Sequence, residues 1–155
     1  MLQKTVVLVK PDGLQRGLIG DIVSRFEKKG LKLVGLKMTS LTDEVLDDWY
    51  VHHKGKPFFK GLKDFMKSYP IVAMVWEGME AVAAVRLMCG ITKGYEAEPG
   101  SIRGDYGLSQ QFNLIHASDS VDSAKKEMSL LFKKEELFEY DKGEYLYLYS
   151  EEERD

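Results

Sequence analysis

The first apolar stretch of the chain is TVVLVK, residues 5–10, in which β-branched residues follow one another almost without a polar break. A short run of this kind is typical of a strand buried on both faces. The next residues, Lys-Pro-Asp-Gly, predict a turn. Beyond the turn, apolar residues recur at helical spacing, at Ile19, Ile22, Val23 and Phe26. The Lys-Lys-Gly that follows them favours a helix end, so the chain starts as strand, loop, helix.

Three further stretches predict strands. Residues 31–39 and 71–78 are apolar and long enough to cross a sheet, and residues 113–117 form a shorter apolar segment. The aromatic stretch YLYLYS, residues 145–150, predicts either a strand or an arm that packs on the rest of the domain.

Four more helices are predicted. Thr42 followed by two acidic residues is typical of a capped helix start, and Pro57 at a first-turn position opens another helix. Residues 79–90 predict a helix closed by Gly90, and residues 120–132 predict a further one. The side chains expected on the apolar faces are Phe58, Leu62, Phe65 and Met66 in the helix after Pro57, and Val121, Ala124, Met128 and Leu131 in the last helix.

The order of these elements is strand-helix-strand, then helices, then strand-helix-strand. It matches an α+β fold of the ferredoxin-like, split βαβ type, a sandwich whose four-stranded antiparallel sheet carries inserted and flanking helices. No repeat, low-complexity tract or linker interrupts the order, so we expect residues 1–155 to form a single domain. The polar, glycine-rich loop over residues 90–105 is long for such a domain, and loops of this length are more often functional than idle.

Composition and charge narrow the function classes. The chain is 44% hydrophobic, and its 22 basic and 25 acidic residues give a formal charge of −3. This balance gives no general attraction to a polyanion, so neither nucleic acid nor a membrane is an expected partner. The only cysteine, Cys89, excludes an internal disulfide and fits a reducing compartment. The N-terminal apolar run is too short for a signal peptide or a membrane span, and we expect a cytoplasmic protein.

The common signatures for phosphate loops and metal sites do not occur. Neither G-x-x-x-x-G-K-[ST] nor G-x-G-x-x-G is present, which disfavours a P-loop kinase and a Rossmann oxidoreductase. His52 and His53 are adjacent, and His116 has no partner at a ligand spacing, so no protein-held metal ion is expected.

Three cations remain at the ends of predicted elements: Lys10, Arg86 and Arg103. Such cations can converge over one edge of a sheet and clamp a polyphosphate. Each also has an ordinary structural explanation, as a solvated strand end, a complement to a helix C-terminus or an ion-pair partner. His116, in NLIHASDS, could by itself be a nucleophile, a metal ligand, a base or a strand-end residue.

Five motifs, taken together in order and spacing, resemble the nucleoside diphosphate kinases. They are VKPDGLQRGLIG, KPFF, VRLMCGIT, PGSIRGDYG and NLIHASDS, and the resemblance spans essentially the whole chain, most closely to archaeal or bacterial members. It implies a phosphotransferase that moves the γ-phosphoryl group of a nucleoside triphosphate to a nucleoside diphosphate in a ping-pong cycle, through a phosphohistidine.

The resemblance implies that His116 is the nucleophile. A neutral imidazole suits this task, because it is nucleophilic near pH 7 and forms a phosphoramidate labile enough to transfer onward. The family phosphorylates Nδ1 and holds the other nitrogen by a backbone carbonyl, with Ser118 and Glu127 as supporting residues. Ser118 also lies in a Ser-Asp-Ser cluster that predicts a helix N-cap. Glu127 has the alternative of a solvated surface side chain.

The same correspondence implies a nucleotide site. Its phosphate and sugar contacts would be Lys10, Tyr50, Arg86, Thr92, Arg103 and Asn113, with Lys10 and Asn113 at the ribose hydroxyls, and His53 stands where some members add a phosphate contact. Phe58 would stack on the base, with Leu62 one turn further on, although Phe58 also fits the core-facing stripe of its helix. Mg²⁺ would be bound through the nucleotide phosphates rather than by protein ligands.

Three features depart from the usual family pattern. Ala117 stands where most members have glycine, so we expect a backbone conformation there that alanine tolerates. Gln110 replaces an apolar residue near the base. Lys93 and Gly94 replace an Asn-Pro in a loop that contributes to subunit packing in the family.

Two alternatives to the enzyme stay open at this point. One is a catalytically silent nucleotide-binding regulatory module of the same fold, and the other is a kinase that passes the phosphoryl group from His116 to another protein. The family also implies a homo-oligomer, for which we expect a hexamer rather than a tetramer.

Overall fold

The computed structural model describes residues 1–154. Four strands, β1 (Leu2–Val9), β2 (Lys32–Thr39), β3 (Ile71–Met79) and β4 (Ile115–Ala117), form one sheet in the order β2-β3-β1-β4. Each of the three pairings is antiparallel. The first strands of the two halves, β1 and β3, therefore lie side by side at the centre, and the predicted ferredoxin-like arrangement is confirmed.

Helices connect and flank the strands. They are α1 (Pro11–Gln15), α2 (Ile19–Lys29), α3 (Asp43–Trp49), α4 (Phe59–Lys67), α5 (Ala81–Cys89), α6 (Ile102–Tyr106), α7 (Val121–Leu131), α8 (Tyr145–Leu148) and α9 (Glu151–Arg154), with short 3-10 segments at Val51–His53, Gly94–Glu96 and Lys134–Glu136. Within residues 1–154, no helix combines the length and hydrophobicity needed to cross a bilayer.

Both faces of the sheet are covered, which explains the unbroken apolar run in β1. Val7 and Val9 pack with α2 and α5 on one face, whereas Val6 and Leu8 pack with α3, α4 and α7 on the other. All four side chains are fully buried. Complete burial of an aliphatic side chain contributes about 1.5–3 kcal/mol, so these four side chains hold β1 firmly between the two helical layers.

Several predicted helix ends are confirmed. The Thr42 hydroxyl accepts a hydrogen bond from the Val45 amide at 3.3 Å, and the Ser120 hydroxyl accepts one from the Ser123 amide at 3.0 Å. These bonds cap α3 and α7 by satisfying amides that have no partner inside the helix. Gly30 ends α2 with a φ of 99°, a conformation that favours glycine.

Two predicted boundaries are wrong. The turn expected after β1 is instead the short helix α1, which begins at Pro11 because proline is well suited to the first helical position. Pro57 does not lie in the first turn of α4, which begins two residues later at Phe59. Residues 54–58 form turns and a bend before α4, and Gly55 has a φ of 81°.

The C-terminal segment is not a strand. Of the two alternatives for residues 145–150, the arm is confirmed: the segment contains the single turn α8 and packs on the rest of the domain. The Tyr149 hydroxyl accepts a hydrogen bond from the Met79 amide at 3.1 Å, and Leu148 covers Gly30 so closely that a Cβ at Gly30 would lie 2.6 Å from it. Alternating aromatic and aliphatic residues suit both forms, so periodicity alone did not decide between them.

Candidate active site

A cavity of about 500 Å³ opens beside β4, where the ends of several elements meet. It brings together most of the predicted site residues, namely Lys10, Tyr50, Arg86, Thr92, Arg103, Asn113, His116 and Glu127. A second cavity lies next to it and is lined by His53, Phe58 and Leu62. Thr92 lines both cavities, so the two are neighbours. Ser118 is the one predicted residue that lines neither.

His116 is fixed on the short strand β4, opposite Leu8 of β1. Its Nε2 atom is hydrogen-bonded to a carboxylate oxygen of Glu127, and its ring meets the Trp49 ring edge-on with centroids 4.9 Å apart. Among residues 1–154, Nδ1 has no hydrogen-bond partner. The expected backbone carbonyl at the second nitrogen is therefore wrong: a buried carboxylate holds it.

Glu127 lies on the buried face of α7 and is 4% exposed. The expected face of this helix included Val121 and Met128, but both are only partly buried, whereas Ala124, Glu127 and Leu131 are buried. Burial of a carboxylate is costly unless it is hydrogen-bonded, and His116 supplies that bond. The alternative of a solvated glutamate is excluded. The spacing of Glu127 from Ala124 and Leu131, three and four residues, is the sequence signal for this position.

Ser118 supports β4 through the backbone rather than through the imidazole. Its hydroxyl accepts a hydrogen bond from the Val6 amide at 3.1 Å, and its own amide donates to the Val6 carbonyl at 3.0 Å. The side chain is fully buried and ties the end of β4 to the central strand. Ala117 has no positive φ, so the backbone there is one that alanine tolerates, as expected.

A strained γ-turn immediately precedes β4. Leu114 has a φ of 74°, and the Ile115 amide donates to the Asn113 carbonyl at 2.9 Å. Asp12 stabilises the turn by accepting a hydrogen bond from the Leu114 amide at 3.0 Å, and the Lys10 amide donates to the Leu114 carbonyl at 2.9 Å. Positive φ in a bulky residue costs on the order of 1–3 kcal/mol and is typically retained at functional sites.

Lys10 and Asn113 form a linked pair at the wall of the cavity. The Lys10 ammonium donates to Asn113 Oδ1 at 2.7 Å, and Asn113 Nδ2 donates to the carbonyls of Thr92 and Gln110 at 3.0 and 2.9 Å. Burial, and then the neighbouring Arg103 charge, lower the pKa of Lys10 to about 8. Both effects disfavour the charged ammonium, and the nearby Asp12 carboxylate offsets them only in part.

Arg103 is 5% exposed and is held entirely by backbone oxygens. Its guanidinium donates to the carbonyls of Gly90, Asn113 and Ile115 at 2.8, 3.2 and 2.5 Å. Burial lowers its pKa, and no carboxylate within residues 1–154 forms an ion pair with it. The alternative that Arg103 serves only as an ion-pair partner, for the nearby Asp105, is excluded, because Asp105 is paired with Arg25 instead.

Arg86 and Tyr50 complete the walls. Arg86 donates from Nη1 to the Ala117 carbonyl at 3.3 Å and, like Lys10 and Arg103, has no ion-pair partner in the described part of the chain. Burial, and then the Glu127 carboxylate, raise the pKa of Tyr50 to about 12. Its phenol therefore stays protonated at neutral pH and can donate a hydrogen bond.

The second cavity is more apolar. Phe58 is 53% exposed, which excludes the alternative that it belongs to the core. The His53 ring meets it at a centroid distance of 5.2 Å, and Leu62 and Gln110 line the cavity beside them. An exposed aromatic ring in such a groove can stack on a planar ligand. His53 thus lies beside the apolar cavity, whereas His52 lines the first cavity near the cations.

Sequence reasoning missed some residues of the site. Trp49 supports the His116 ring, and Lys126 and Asp119 also line the first cavity. Asp12, two residues after Lys10, holds the γ-turn. The sequence feature that could have identified Asp12 is its position directly after a buried strand, where polar side chains often belong to functional sites.

The residues around the cavity do not form a metal cage. No group of three or more His, Cys, Asp or Glu side chains is arranged to hold an ion in the portion of the chain that the structure describes. The unpaired cations instead make the cavity attractive to an anion with several oxygens.

Comparison with known proteins gives a consistent result. The family model described as "Nucleoside diphosphate kinase" matches residues 3–137. The chain is 54% identical to nucleoside diphosphate kinase from Carboxydothermus hydrogenoformans over 141 residues, covering 91% of this chain and 95% of that protein. It is 54% identical to the enzyme from Pyrococcus furiosus over 145 residues, covering 92% and 90% of the two chains.

A solved structure is also closely similar. The halophilic nucleoside diphosphate kinase from Halobacterium salinarum, in complex with CDP, superposes with a TM-score of 0.93 at 47% identity, covering 97% of this chain and all of that one. A nucleoside diphosphate kinase family protein from Babesia bovis gives a TM-score of 0.92 at 44% identity, covering 95% and 99% of the two chains.

Proposed function

This chain belongs to the nucleoside diphosphate kinase family, and we propose that it moves the γ-phosphoryl group of a nucleoside triphosphate to a nucleoside diphosphate by way of His116. It is a phosphotransferase, as its relatives are. The observation that carries the assignment of the site is the set of three cations beside His116 that have no ion-pair partner among residues 1–154. A polyphosphate is the ligand that would pair with all of them.

In the proposed first half-reaction, Nδ1 of His116 attacks the γ-phosphorus. The new N–P bond forms as the bond from phosphorus to the β,γ-bridging oxygen breaks, and the nucleoside diphosphate leaves with that oxygen. In the second half-reaction, a terminal phosphate oxygen of a second nucleoside diphosphate attacks the phosphohistidine, and Nδ1 leaves. The cycle is therefore ping-pong and restores the free imidazole.

Glu127 supports this chemistry through the other ring nitrogen. By accepting a hydrogen bond from Nε2, its carboxylate fixes the tautomer in which Nδ1 has a free lone pair. When Nδ1 bonds to phosphorus, the ring gains positive charge, and a buried carboxylate beside Nε2 stabilises that charge.

We assign Lys10, Arg86 and Arg103 to the phosphate oxygens. Charge spreads over the equatorial oxygens of the transferring group, and fixed cations stabilise it without reorganising. Tyr50 and Thr92 would donate hydrogen bonds from their hydroxyl groups. Since Lys10 is already linked to Asn113 at 2.7 Å, this pair can also bind the ribose hydroxyls.

Phe58 is assigned to stacking on the base, with Leu62 beside it and His53 at the junction with the phosphates. The exposed ring face of Phe58 and the apolar lining of its cavity support this assignment. Stacking is worth about 1–3 kcal/mol per base and depends little on base identity, as an enzyme acting on several nucleotides requires.

Mg²⁺ is proposed as the cofactor, bound through the nucleotide phosphates. This ion prefers oxygen ligands and usually keeps several waters. Two carboxylates, Glu127 and Asp119, line the first cavity, and Glu127 is hydrogen-bonded to His116, so the phosphate oxygens are the ligands that fit. When bound, the ion would neutralise charge on the β- and γ-phosphates.

We propose that residues 1–155 form a single cytoplasmic domain that assembles as a homo-oligomer, a hexamer in preference to a tetramer. Large apolar side chains that are exposed support an assembly. Leu36 and Met38 are 51% and 61% exposed on the edge strand β2, Leu87 on α5 is 80% exposed, and Leu108, two residues after α6, is 86% exposed. Exposed apolar patches are typical of protein interfaces.

A phosphoryl-trapping experiment tests the function. The protein is incubated with γ-labelled ATP and Mg²⁺ and quenched, and the phosphorylated residue is located by mass spectrometry. We expect an acid-labile, base-stable phosphohistidine at position 116 that added nucleoside diphosphates discharge. His52→Ala, a change to another histidine of the same cavity, should still label, whereas His116→Ala should not. Equal labelling of His116→Ala would refute the mechanism.

The same experiment separates the alternatives. No observation favours the catalytically silent module, for which wild-type protein would bind nucleotide without labelling. A kinase that phosphorylates other proteins would form the same intermediate but would discharge it slowly to nucleoside diphosphates.

A further inference from the structure

Arg25 lies on α2, outside both cavities, yet it makes four hydrogen bonds, three of them to the segment that carries Arg103. Its Nη2 donates to Asp105 Oδ2 at 2.7 Å and to the Tyr106 hydroxyl at 3.2 Å, and its Nη1 donates to the Gly100 carbonyl at 3.0 Å. The remaining donor, Nε, pairs with Asp21 one turn earlier on α2 at 2.8 Å. All three guanidinium nitrogens are therefore used.

The acceptors form a closed network rather than separate contacts. Asp105 accepts from Arg25 on one oxygen and from the Gly100 amide on the other, at 2.8 Å. The Tyr106 hydroxyl donates to Asp21 at 3.0 Å, and the Arg25 guanidinium carbon lies 5.1 Å from the centre of the Tyr106 ring. Charge-assisted bonds of this kind fix geometry more strongly than bonds between neutral groups. The two ends of α6 are thus bound to α2.

Helix α6, which this network binds to α2, is too short to be stable on its own. With five residues, α6 is far below the length at which an isolated helix is stable in water. It nevertheless positions Arg103, whose guanidinium reaches three backbone carbonyls around the candidate active site. Arg103 lies two residues before Asp105 on α6. The two side chains therefore project from opposite sides of this short helix, with Asp105 toward α2 and Arg103 toward the candidate active site.

We propose that Arg25 is a positioning residue for phosphoryl transfer, which acts by clamping α6 so that the Arg103 guanidinium is held in place for the phosphate oxygens. The inference rests on the proposed function of Arg103. Arg25 itself touches no reacting group. Its contribution is the fixed position of another residue, and misplacement of a catalytic contact by about 1 Å can lower the rate on the order of 10²-fold.

The test compares variants that open the clamp in different ways. Arg25→Met removes all four bonds, and Arg25→Lys keeps the charge but cannot reach every acceptor. Asp105→Asn removes the ion pair while its amide oxygen can still accept from the Gly100 amide. The matched control is Lys28→Met, which removes a cation from the exposed side of the same helix.

We expect kcat/KM to fall by about 10- to 100-fold in Arg25→Met and Asp105→Asn, with a higher KM for the nucleotide, and by less in Arg25→Lys. Lys28→Met should match wild type. Rates are normalised to the folded fraction, and Tm is measured in parallel. If Arg25→Met or Asp105→Asn lowers Tm but leaves KM and kcat unchanged, Arg25 is only structural and the proposal is wrong.

A double substitution adds a measurement that a simple loss of stability would not affect. In an Arg103→Lys background, Arg25→Met should cause little further loss of kcat/KM, because the residue through which Arg25 acts has already been changed. Additive losses would contradict the proposal. Failure of the proposed function is a separate outcome, since wild-type protein itself would then not transfer the phosphoryl group.

Discussion

Glu127 accepts a hydrogen bond from Nε2 of His116 while lying on the buried face of α7. The acidic residue is the less accessible partner, with 5% of its side chain exposed against 23% for the histidine. Because the pair is shielded from water on the side of the carboxylate, its electrostatic interaction is stronger than it would be at the surface. The relationship orients the ring and leaves Nδ1 as the nitrogen available for reaction.

Glu127→Gln should distinguish the effect of the negative charge of Glu127 from the effect of its size and hydrogen bond. The amide keeps the volume of the side chain and an oxygen that can accept from Nε2, but it cannot stabilise positive charge on the ring. We expect the single-turnover rate of His116 phosphorylation to fall on the order of 10²-fold, with little change in nucleotide affinity. Rapid quench with labelled ATP measures the rate.

The control for this change is Asp122→Asn, at an exposed position on the same helix. It should phosphorylate at the wild-type rate. If Glu127→Gln reacts as fast as wild type, then the carboxylate only fills space and the ring is oriented by other contacts.

Lys10 should make nucleotide binding depend on pH above neutrality. Its pKa in the free protein is lowered to about 8, and a bound polyphosphate raises that pKa because it supplies the missing negative charge. At pH 7 the free protein already carries the proton, whereas at pH 9 binding must take one up. We therefore expect affinity to fall as the pH rises through 8, with uptake of up to about one proton at pH 9.

Calorimetry of nucleotide binding at pH 9, in two buffers of different ionisation enthalpy, measures this uptake. Lys10→Arg is the matched control, because its guanidinium stays protonated throughout and should bind without uptake. Equal heats for wild type in both buffers at pH 9 would mean that Lys10 does not meet the phosphates.

Much of the fold could be predicted because local sequence patterns and single capping residues determine where its strands and helices form. The unbroken run Val6–Val9 predicts a strand buried on both faces, and Thr42 and Ser120 predict helix starts by the bonds their hydroxyls make. The C-terminal arm could not be predicted in form. Its shape depends on long-range contacts such as Tyr149 with Met79, and no local pattern encodes them.

The candidate site was harder to derive from pattern alone, because its residues come from separate elements. The family resemblance supplied the set that the fold gathers around His116, whereas spacing by itself left each cation with an ordinary structural explanation. Neither the sequence patterns nor the family resemblance predicted two features of the structure. The positive φ of Leu114 occurs in a residue that normally avoids it, and the Arg25 network joins residues about 80 positions apart.

Phe58 should govern nucleotide affinity without setting base preference. Loss of stacking in Phe58→Ala should raise KM for ADP and CDP alike, by roughly 5- to 150-fold, corresponding to about 1–3 kcal/mol. The control is Phe112→Ala. Phe112 is also 53% exposed, but it packs edge-on against Phe65 at 5.0 Å and does not line the second cavity.

Steady-state kinetics with each nucleotide as acceptor show which of the two aromatic rings, Phe58 or Phe112, contributes to nucleotide affinity. A KM that rises equally in Phe112→Ala would show that general exposure of aromatic surface, and not stacking at Phe58, sets the affinity.

Gly13 should be intolerant of any side chain because it lies against the γ-turn before β4. A Cβ there would stand 2.8 Å from the Leu114 carbonyl oxygen and 2.7 Å from Val9, and that carbonyl also accepts the Lys10 amide. Gly13→Ala must therefore displace the turn that sets the direction of Asn113 and His116. We expect a loss of stability of about 1–3 kcal/mol and a lower kcat/KM.

Gly20→Ala is the matched control for this change. Gly20 lies in α2, and a Cβ built there has nothing within 4 Å. The added methyl group should raise stability by about 0.4–1 kcal/mol by restricting the unfolded chain, with activity unchanged. Denaturant unfolding and steady-state kinetics of both variants measure these effects. If Gly13→Ala is as stable and as active as Gly20→Ala, then the turn has room to move and its strained geometry does not position His116.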